Sequence, residues 1–306
     1  MRQKIQSLWS GYGSILRVKL SGYFREYVIV KHVNPPNASN HPRGWNSNIS
    51  HDRKLKSYEV EKHWYEKWAS HCSNAKVPKL LASETLGSEF LLIMEDLNQS
   101  GYPSRITQID KRSFEACVNW LANFHARFLN CKDDKLWGSG TYWHLQTRPD
   151  ELQALDDLPL KNAASAIDQK LKNSPFQTFV HGDAKLANFC FSNDRLKVAA
   201  VDFQYVGHGC GMKDLAYFVG SCLYDDDCEA METEILDMYF CELRKALSKY
   251  HPEVDFNSLE QDWRPLYHWA WADFHRFLKG WSPGHWKINS YSEKICREVI
   301  EELNNA

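Results

Sequence analysis

The chain has 306 residues, 43% hydrophobic and 25% charged, a globular composition in a chain long enough for two lobes or domains. Its 37 lysines and arginines nearly balance its 39 acids, and the formal charge of −2 comes without a basic stripe, which disfavours a nonspecific nucleic-acid binder. Nine scattered cysteines, an odd number with no CxxC pair, indicate reduced thiols and disfavour a disulfide scaffold or a zinc site.

The N-terminal segment, MRQKIQSLWSGYG, lacks the apolar region of a signal peptide. The longest apolar run, residues 90–94, is far shorter than the ~20 residues that a membrane-spanning helix needs. We therefore expect a cytoplasmic protein with neither a membrane nor a nucleic acid as partner.

Residues 1–33 are predicted to form β-strands. Residues 14–20 alternate between polar and apolar side chains, a Ser-Gly turn follows, and residues 27–33 are rich in β-branched residues. Lys31 lies on the second of these runs and shares its face with apolar neighbours. Because a buried unpaired ammonium is very costly, Lys31 requires an anionic partner, which nucleotide phosphates and a glutamate could provide.

A short glycine-containing loop precedes the first of these runs and includes Gly11, Gly13 and Ser14. Glycines let a backbone approach phosphate oxygens closely, so these residues are candidates for phosphate binding. The third glycine of a G-x-G-x-x-G motif is absent, because Leu16 holds its place. An ordinary turn is therefore the alternative interpretation.

A helix is predicted from about residue 52 to residue 71, after a Pro/Asn-rich loop at residues 34–48. Glu59, Glu61 and Glu66 are candidate partners for the strand lysine. We choose Glu61, because the apolar stripe of this helix lies next to it and faces the interior of the lobe. A solvated surface glutamate is the alternative.

Two further strands, near residues 79–82 and 89–94, lead into a polar segment that begins at Asn98. We place the boundary between two lobes there, with the N-terminal lobe at residues 1–97 and the C-terminal lobe at residues 98–306.

The rest of the chain is predicted to be mainly helical. Helical periodicity or helix-start signals occur at residues 111–129, from 148, and at 162–172, 235–247 and 292–303. His125 lies within the apolar stripe of the first of these helices and is predicted to be a core histidine in preference to a ligand. The aromatic loop at residues 136–147 carries no pattern that indicates a function.

The most informative stretch runs from residue 176 to residue 204. Asp183 follows a short apolar run, Asn188 lies five residues later, and Asp202 ends a second apolar run. Singly, each is more often part of a turn or strand end. In this order they suit phosphoryl transfer, with Asp183 accepting the proton of the attacking hydroxyl and Asn188 and Asp202 binding Mg²⁺. Lys185 is a candidate contact to the transferred phosphate, with an exposed loop lysine as the alternative.

A glycine-rich segment follows, and Asp214 then opens a helix that it could cap, unless it braces the catalytic loop instead. Only eleven residues separate Asp202 from Asp214, and no Ala-Pro-Glu follows. Gly182 also stands where protein kinases carry an arginine. A protein kinase is therefore disfavoured.

The segment at residues 263–286 is unusually aromatic, which is most simply explained by core packing of a helix. Aromatic walls with a few polar groups also describe a pocket for a bulky hydroxylated small molecule. On that interpretation Asp273, Arg276, Trp281 and His285 are the candidate substrate contacts.

Taken together, HGDAKLAN with VDFQ resembles the aminoglycoside phosphotransferase and choline kinase superfamily. The segments GYGSI, VIVKHV, EDL, GTYWHLQTRPDE and DFHRFLKGW resemble its ecdysteroid-kinase-like (CHK kinase-like) branch. The resemblance implies an α+β, protein-kinase-like two-lobed fold, with a small antiparallel-sheet N-lobe and a mainly helical C-lobe. It further implies ATP and Mg²⁺ as cofactors and phosphorylation of a hydroxyl group on a small-molecule alcohol.

Carried over by position, the resemblance makes Asp183 the catalytic base, Asn188 and Asp202 the metal ligands, Lys31 the phosphate-pairing lysine and Glu61 its partner. The N-terminal lobe would bind the nucleotide, and the C-terminal lobe would carry catalysis and the substrate.

The connection between the lobes would be the hinge, where backbone groups of Glu95 and Leu97 bind the adenine edge. The sequence departs from many relatives at Ala184-Lys185, where they carry Leu-His, and at Gln204.

Two other classes of protein fit the sequence less well. A non-catalytic kinase-fold nucleotide-binding module is disfavoured because every catalytic side chain is present. A nicotinamide oxidoreductase is disfavoured because Gly11-x-Gly13 precedes a predicted strand, whereas a dinucleotide-binding fold needs a helix there.

Overall fold

The computed structural model describes residues 2–8, 11–35 and 48–305, so most of the loop predicted at 34–48 lies outside the described residues. Its N-terminal part is an antiparallel sheet of five strands in the order β1-β2-β3-β5-β4. The strands are β1 (Arg2–Ser7), β2 (Gly13–Lys19), β3 (Tyr27–Val33), β4 (Leu80–Leu86) and β5 (Glu89–Glu95).

The central strand β3 lies between β2 and β5, and Lys31 stands opposite Ile15 on one side and Leu92 on the other. One helix, α1 (Asn48–Lys67), joins β3 to β4 and carries Glu61, Val60 and Trp64 on its buried face. This confirms the predicted strands and helix of the N-terminal part, because alternation and the helical stripe both reflect burial on one face.

The C-terminal part is mainly helical, as predicted. Its helices are α2 (Lys111–Arg127), α3 (Pro149–Gln153), α4 (Leu158–Lys172), α5 (Met212–Cys222), α6 (Asp225–Tyr250), α7 (Phe256–Trp281) and α8 (Ser290–Asn305). Aspartate side chains cap three of them by accepting a backbone N–H: Asp110 at α2, Asp157 at α4 and Asp255 at α7. Within the described ranges, no helix is both long and apolar enough to cross a membrane.

Two helices begin earlier than the sequence predicts. Helix α4 begins at Leu158, because Asp157 caps it and a proline occupies its first turn. Helix α6 begins ten residues before the predicted start, at Asp225, where three acids in its first turn suit the positive end of the helix dipole. In both cases the first turns carry little of the apolar periodicity on which the prediction depended.

Two short antiparallel strand pairs hold the central segment against α2. Strand β6 (Thr178–Val180) pairs with β9 (Gly207–Gly209), and β7 (Phe189–Phe191) pairs with β8 (Val198–Ala200). The segments that follow β6 and β8 lie next to each other, because His181 Nε2 is 3.0 Å from the Val201 carbonyl oxygen.

An aromatic cluster connects the helix of the N-terminal part to the C-terminal part. Trp64 of α1 is fully buried and stacks on Phe203, with ring centroids 4.9 Å apart and planes at 14°. It also contacts Phe124, Phe128 and Phe179. The helix that carries Glu61 is thereby fixed to the residue that follows Asp202.

We expect Trp64→Ala to lower the free energy of unfolding by about 3–5 kcal/mol, because it leaves a large cavity between the two parts of the molecule. Urea unfolding followed by circular dichroism measures the change. Leu196→Ala is the matched control, since Leu196 is exposed and its truncation should change stability by less than ~0.5 kcal/mol. Equal unfolding midpoints for Trp64→Ala and the wild type would contradict this prediction.

Candidate active site

The side chain of Asp183 lies at the end of the loop that follows β6 and is held by three donors. The Tyr217 hydroxyl donates to Oδ1 at 3.1 Å, and Asn188 Nδ2 and Lys185 Nζ donate to Oδ2 at 3.0 and 2.9 Å. The carboxylate is 8% exposed. Its position is therefore determined from both sides, as a group that orients a reactant requires.

Asp214 braces the loop that presents this carboxylate. Its carboxylate accepts the backbone N–H groups of His181 and Gly182 at 2.5 and 2.9 Å. Its Oδ2 also lies 3.1 Å from Nε2 of His125, which is fully buried and contacts the Tyr239 hydroxyl through Nδ1. These contacts confirm that Asp214 braces the loop and that His125 is a core histidine. Asp214 does not cap helix α5, since no side chain forms a capping hydrogen bond there.

The backbone conformation and close packing at position 182 explain why a glycine stands there and not an arginine. Its φ is +79°, in the left-handed region, and a Cβ atom there would lie 2.1 Å from the Tyr205 carbonyl oxygen. The loop that carries Asp183 therefore packs against the backbone after Asp202 more closely than any side chain at position 182 would allow.

Asn188 and Asp202 lie beside this loop. The Asn188 amide donates through Nδ2 to the Asp183 carbonyl at 2.7 Å as well as to its carboxylate, so its Oδ1 is directed away from Asp183. Val201 N donates to the Asn188 carbonyl at 2.9 Å, which links the two segments. Asp202 has a φ of +71°, a strained conformation for an aspartate, and Gln204 donates to its Oδ1 at 2.8 Å.

Lys31 and Glu61 form a buried ion pair at 2.6 Å, and Lys31 lies 3.7 Å from Asp202. Burial alone would lower the pKa of Lys31, but the Glu61 and Asp202 carboxylates outweigh it and raise that pKa. For Asp202, burial is outweighed by Lys31, Lys185 and Lys54, so its pKa is lowered. The structure thus brings the N-terminal lysine and the C-terminal carboxylate into one charge network.

The glycine loop approaches this network from strand β2. Gly13 has a φ of +135°, and a Cβ atom there would lie 2.0 Å from the His32 carbonyl oxygen, so the close approach of β2 and β3 requires a glycine. Ser14 pairs with His32, next to Lys31 on β3. Gly11 has a φ of +79° with open space around it. Trp9 and Ser10, in the same loop, lie outside the described residues.

The predicted hinge connects β5 to the C-terminal part. The Glu95 side chain is buried and pairs with Lys76. Leu97 is buried against Cys190 and Ala199 of β7 and β8, and its carbonyl accepts Tyr102 N at 2.8 Å. These contacts attach the end of the sheet to the strands that carry the metal-ligand candidates.

The four substrate candidates differ in burial and in their partners. Asp273 and Arg276 are fully buried; Asp273 pairs with Arg276 at 2.8 Å and with Lys213 at 3.4 Å. Trp281 and His285 are half-buried and stack on other aromatic rings. The burial of Asp273 and Arg276 favours core packing over contact with a substrate, because their charges are used within the fold.

We expect the Asp273 carboxylate to stabilise the protein at neutral pH and to lose this effect in acid. Burial would raise its pKa, but Lys213 and Arg276 outweigh burial and lower the pKa to about 2. Because the folded pKa is below the ordinary value of ~3.9, the stabilisation is complete above about pH 4 and disappears as the pH falls toward 2.

Asp273→Asn should therefore lower the free energy of unfolding by about 3–5 kcal/mol at pH 7 and by clearly less near pH 2.5, since it leaves two buried cations without their carboxylate. Urea unfolding at both pH values measures the difference. Glu301→Gln, at an exposed site on α8, is the control. A loss that is equal at both pH values would contradict the assignment.

Tyr217 was missed from the sequence although it contacts Asp183. It lies three residues after Asp214 on α5, and residues at this spacing share a helix face. This spacing could have identified Tyr217, because the helix face that directs Asp214 toward the loop also carries Tyr217.

Comparison with known proteins confirms the family resemblance and the fold. The model of the ecdysteroid kinase-like family matches residues 140–251, which include Asp183, Asn188 and Asp202. Plasmodium vivax ethanolamine kinase is similar in structure, with a TM-score of 0.54 and 11% identity, over 99% of this chain and 83% of that chain. Choline kinase from Cryptosporidium parvum Iowa II gives a TM-score of 0.50 and 10% identity, over 100% and 89%. No curated protein sequence matches the chain.

Proposed function

We propose that this protein is an ATP-dependent kinase that transfers a phosphoryl group to a hydroxyl of a small molecule. The observation that carries the proposal is the convergence of Lys31, Asp183, Asn188 and Asp202. The 3.7 Å approach of Lys31 to Asp202 joins the two parts of the molecule. Within the C-terminal part, Asn188 contacts Asp183 at 3.0 Å and accepts the backbone N–H of Val201, the residue before Asp202, at 2.9 Å.

In the proposed mechanism Asp183 accepts the proton of the acceptor hydroxyl and orients it for in-line attack. Tyr217 and Asn188 hold the two oxygens of its carboxylate. Lys185, 2.9 Å from that carboxylate, is placed to contact the transferred phosphate. Catalysis would then consist mainly of positioning and of neutralising charge on the phosphates.

Asn188 and Asp202 fit a magnesium ion. Mg²⁺ is usually bound by one or two carboxylates together with substrate phosphates and water, and not by a full cage of protein ligands. The amide oxygen of Asn188 faces away from Asp183, and Asp202 is 35% exposed, so both can offer oxygen. When bound, the ion would neutralise phosphate charge.

The nucleotide would lie between the lobe of residues 1–97 and the lobe of residues 98–306. Lys31, held by Glu61, would pair with its phosphates. The loop of Gly11, Gly13 and Ser14 would cover them.

The adenine edge would meet backbone groups of Glu95 and Leu97. The Leu97 carbonyl already accepts a hydrogen bond from the backbone N–H of Tyr102. We therefore assign the backbone N–H of Leu97 to the nucleotide.

Thermal-shift measurements with Mg-ATP and with NAD, followed by an ADP-release screen across alcohols, test the proposed function. Stabilisation by Mg-ATP and ADP release with at least one alcohol are expected. Stabilisation by Mg-ATP without turnover of any alcohol would favour a non-catalytic nucleotide-binding module. No response to Mg-ATP would contradict the proposal.

A further inference from the structure

Lys287, in the segment between α7 and α8, places its ammonium among three aromatic rings. Its Nζ lies 4.9 Å from the centroid of Tyr217 and 5.6 Å from those of Phe274 and Trp286. We call these three rings the aromatic cage. Such faces attract cations, and aromatic cages of this kind bind quaternary ammonium ligands in other proteins.

The aromatic cage adjoins the proposed catalytic base. Tyr217 contributes its ring to the cage and its hydroxyl to Asp183 Oδ1, at 3.1 Å. One side chain, that of Tyr217, therefore separates a group held at Lys287 from the carboxylate of Asp183. This places Lys287 at the acceptor side of the site.

Among the residues that the structure describes, no carboxylate forms an ion pair with Lys287 within 4.0 Å of Nζ, and Asp183 acts on it only through space. Burial lowers the pKa of Lys287 to about 8, while Asp183 raises it and Lys185 lowers it through space. The group is therefore still largely protonated at neutral pH. A half-buried ammonium without a close anionic partner favours an anion from outside the protein.

Trp286, one of the three rings of the aromatic cage, forms an exposed aromatic pair with Tyr224. Tyr224 and Trp286 are 71% and 53% exposed, and their ring centroids lie 6.0 Å apart. Large aromatic surfaces exposed beside a binding site suit an apolar ligand body. The acceptor side therefore combines one cation with apolar contact area.

We propose that Lys287 determines acceptor specificity: it occupies the aromatic cage, excludes cationic alcohols, and binds the anionic group of an apolar alcohol. The anionic group is a carboxylate, sulfate or phosphate. This inference rests on the proposed kinase function for its catalytic part, but the occupancy of the cage can be tested without turnover.

The first test is binding of tetramethylammonium, followed by tryptophan fluorescence and calorimetry. Lys287→Met removes the tethered cation and frees the aromatic faces, so this variant should bind the probe at least about tenfold more tightly than the wild type. Lys287→Arg keeps the charge and should bind as weakly as the wild type. Lys294→Met removes an exposed lysine that pairs with Glu229, and it should change nothing.

Equal affinity of the wild type and Lys287→Met for the probe would overturn the inference, as would tight binding by Lys287→Arg. Thermal unfolding of each variant shows that it is folded, and the arginine variant provides the comparison if the methionine variant is unstable.

The second test compares acceptors in an ADP-release assay. Matched alcohols should carry a carboxylate, a neutral amide or a trimethylammonium group on the same apolar body. We expect kcat/KM to be highest for the carboxylate, and its ratio to the neutral alcohol to fall at least about tenfold in Lys287→Met. An unchanged ratio would overturn the inference. Failure of the proposed kinase function would appear differently, as absence of turnover with every alcohol while the tetramethylammonium result stands.

Discussion

Asp183→Asn is expected to lower kcat by about 10²- to 10⁴-fold while Mg-ATP binds as tightly as to the wild type. The substitution removes the group that would accept the hydroxyl proton in the proposed mechanism but keeps the size of the side chain. An amide can preserve the surrounding contacts if its carbonyl oxygen takes the place of Oδ2, toward Asn188 and Lys185. Its NH₂ then faces the Tyr217 hydroxyl, which can accept as well as donate. The loop should therefore keep its structure.

The measurement is steady-state ADP release, with the acceptor found by the alcohol screen, together with calorimetric titration of Mg-ATP. Asp194→Asn is the matched control, since Asp194 lies in an exposed turn of the same lobe and should leave both quantities unchanged. Undiminished turnover in Asp183→Asn would refute the assignment of the base. Loss of Mg-ATP binding in this variant would instead show that Asp183 holds the nucleotide.

The parts of this site that the sequence predicts are those encoded locally. Lys31 could be placed because a lysine on an apolar strand face requires a partner, and Glu61 because the stripe of α1 shows which glutamate faces inward. The structure joins them at 2.6 Å. Strand alternation and helical periodicity also located most elements, since both are direct consequences of burial on one face.

The parts that the sequence does not predict depend on packing between distant elements. Asp273 and Arg276 have the residue types of a polar pocket, and nothing near them in the chain shows that Lys213 lies 3.4 Å from Asp273. Lys287 is the opposite case, because its surroundings in the sequence do not predict a site and its packing does. Its neighbours in sequence are those of an ordinary loop, and only the packing of α5 and α7 surrounds its ammonium with Tyr217 and Phe274.

Asp202→Ala is the complementary change, because it acts on nucleotide binding and not on proton transfer. We expect the gain in ATP affinity that Mg²⁺ provides to fall by at least about 10- to 100-fold. Loss of a residue that only hydrogen-bonds to a metal ligand already lowers metal affinity over this range. Binding of ATP without Mg²⁺ should persist or strengthen. The reason is that the carboxylate of Asp202 compensates the positive charges of Lys31, Lys54 and Lys185. Without this carboxylate, the three charges would attract the ATP phosphates more strongly.

Calorimetric titrations of ATP, once with Mg²⁺ and once with a chelator in its place, separate the Mg²⁺-dependent affinity from the affinity of ATP alone. Asp202→Asn is the informative comparison, since it keeps an oxygen ligand and a partner for Gln204 while it removes the charge. It should lie between the wild type and the alanine variant in Mg²⁺ dependence. If Asp202→Ala retained the full gain in affinity from Mg²⁺, the ion would not be held at position 202. The strained backbone of Asp202, with a φ of +71°, would then have no role in metal binding.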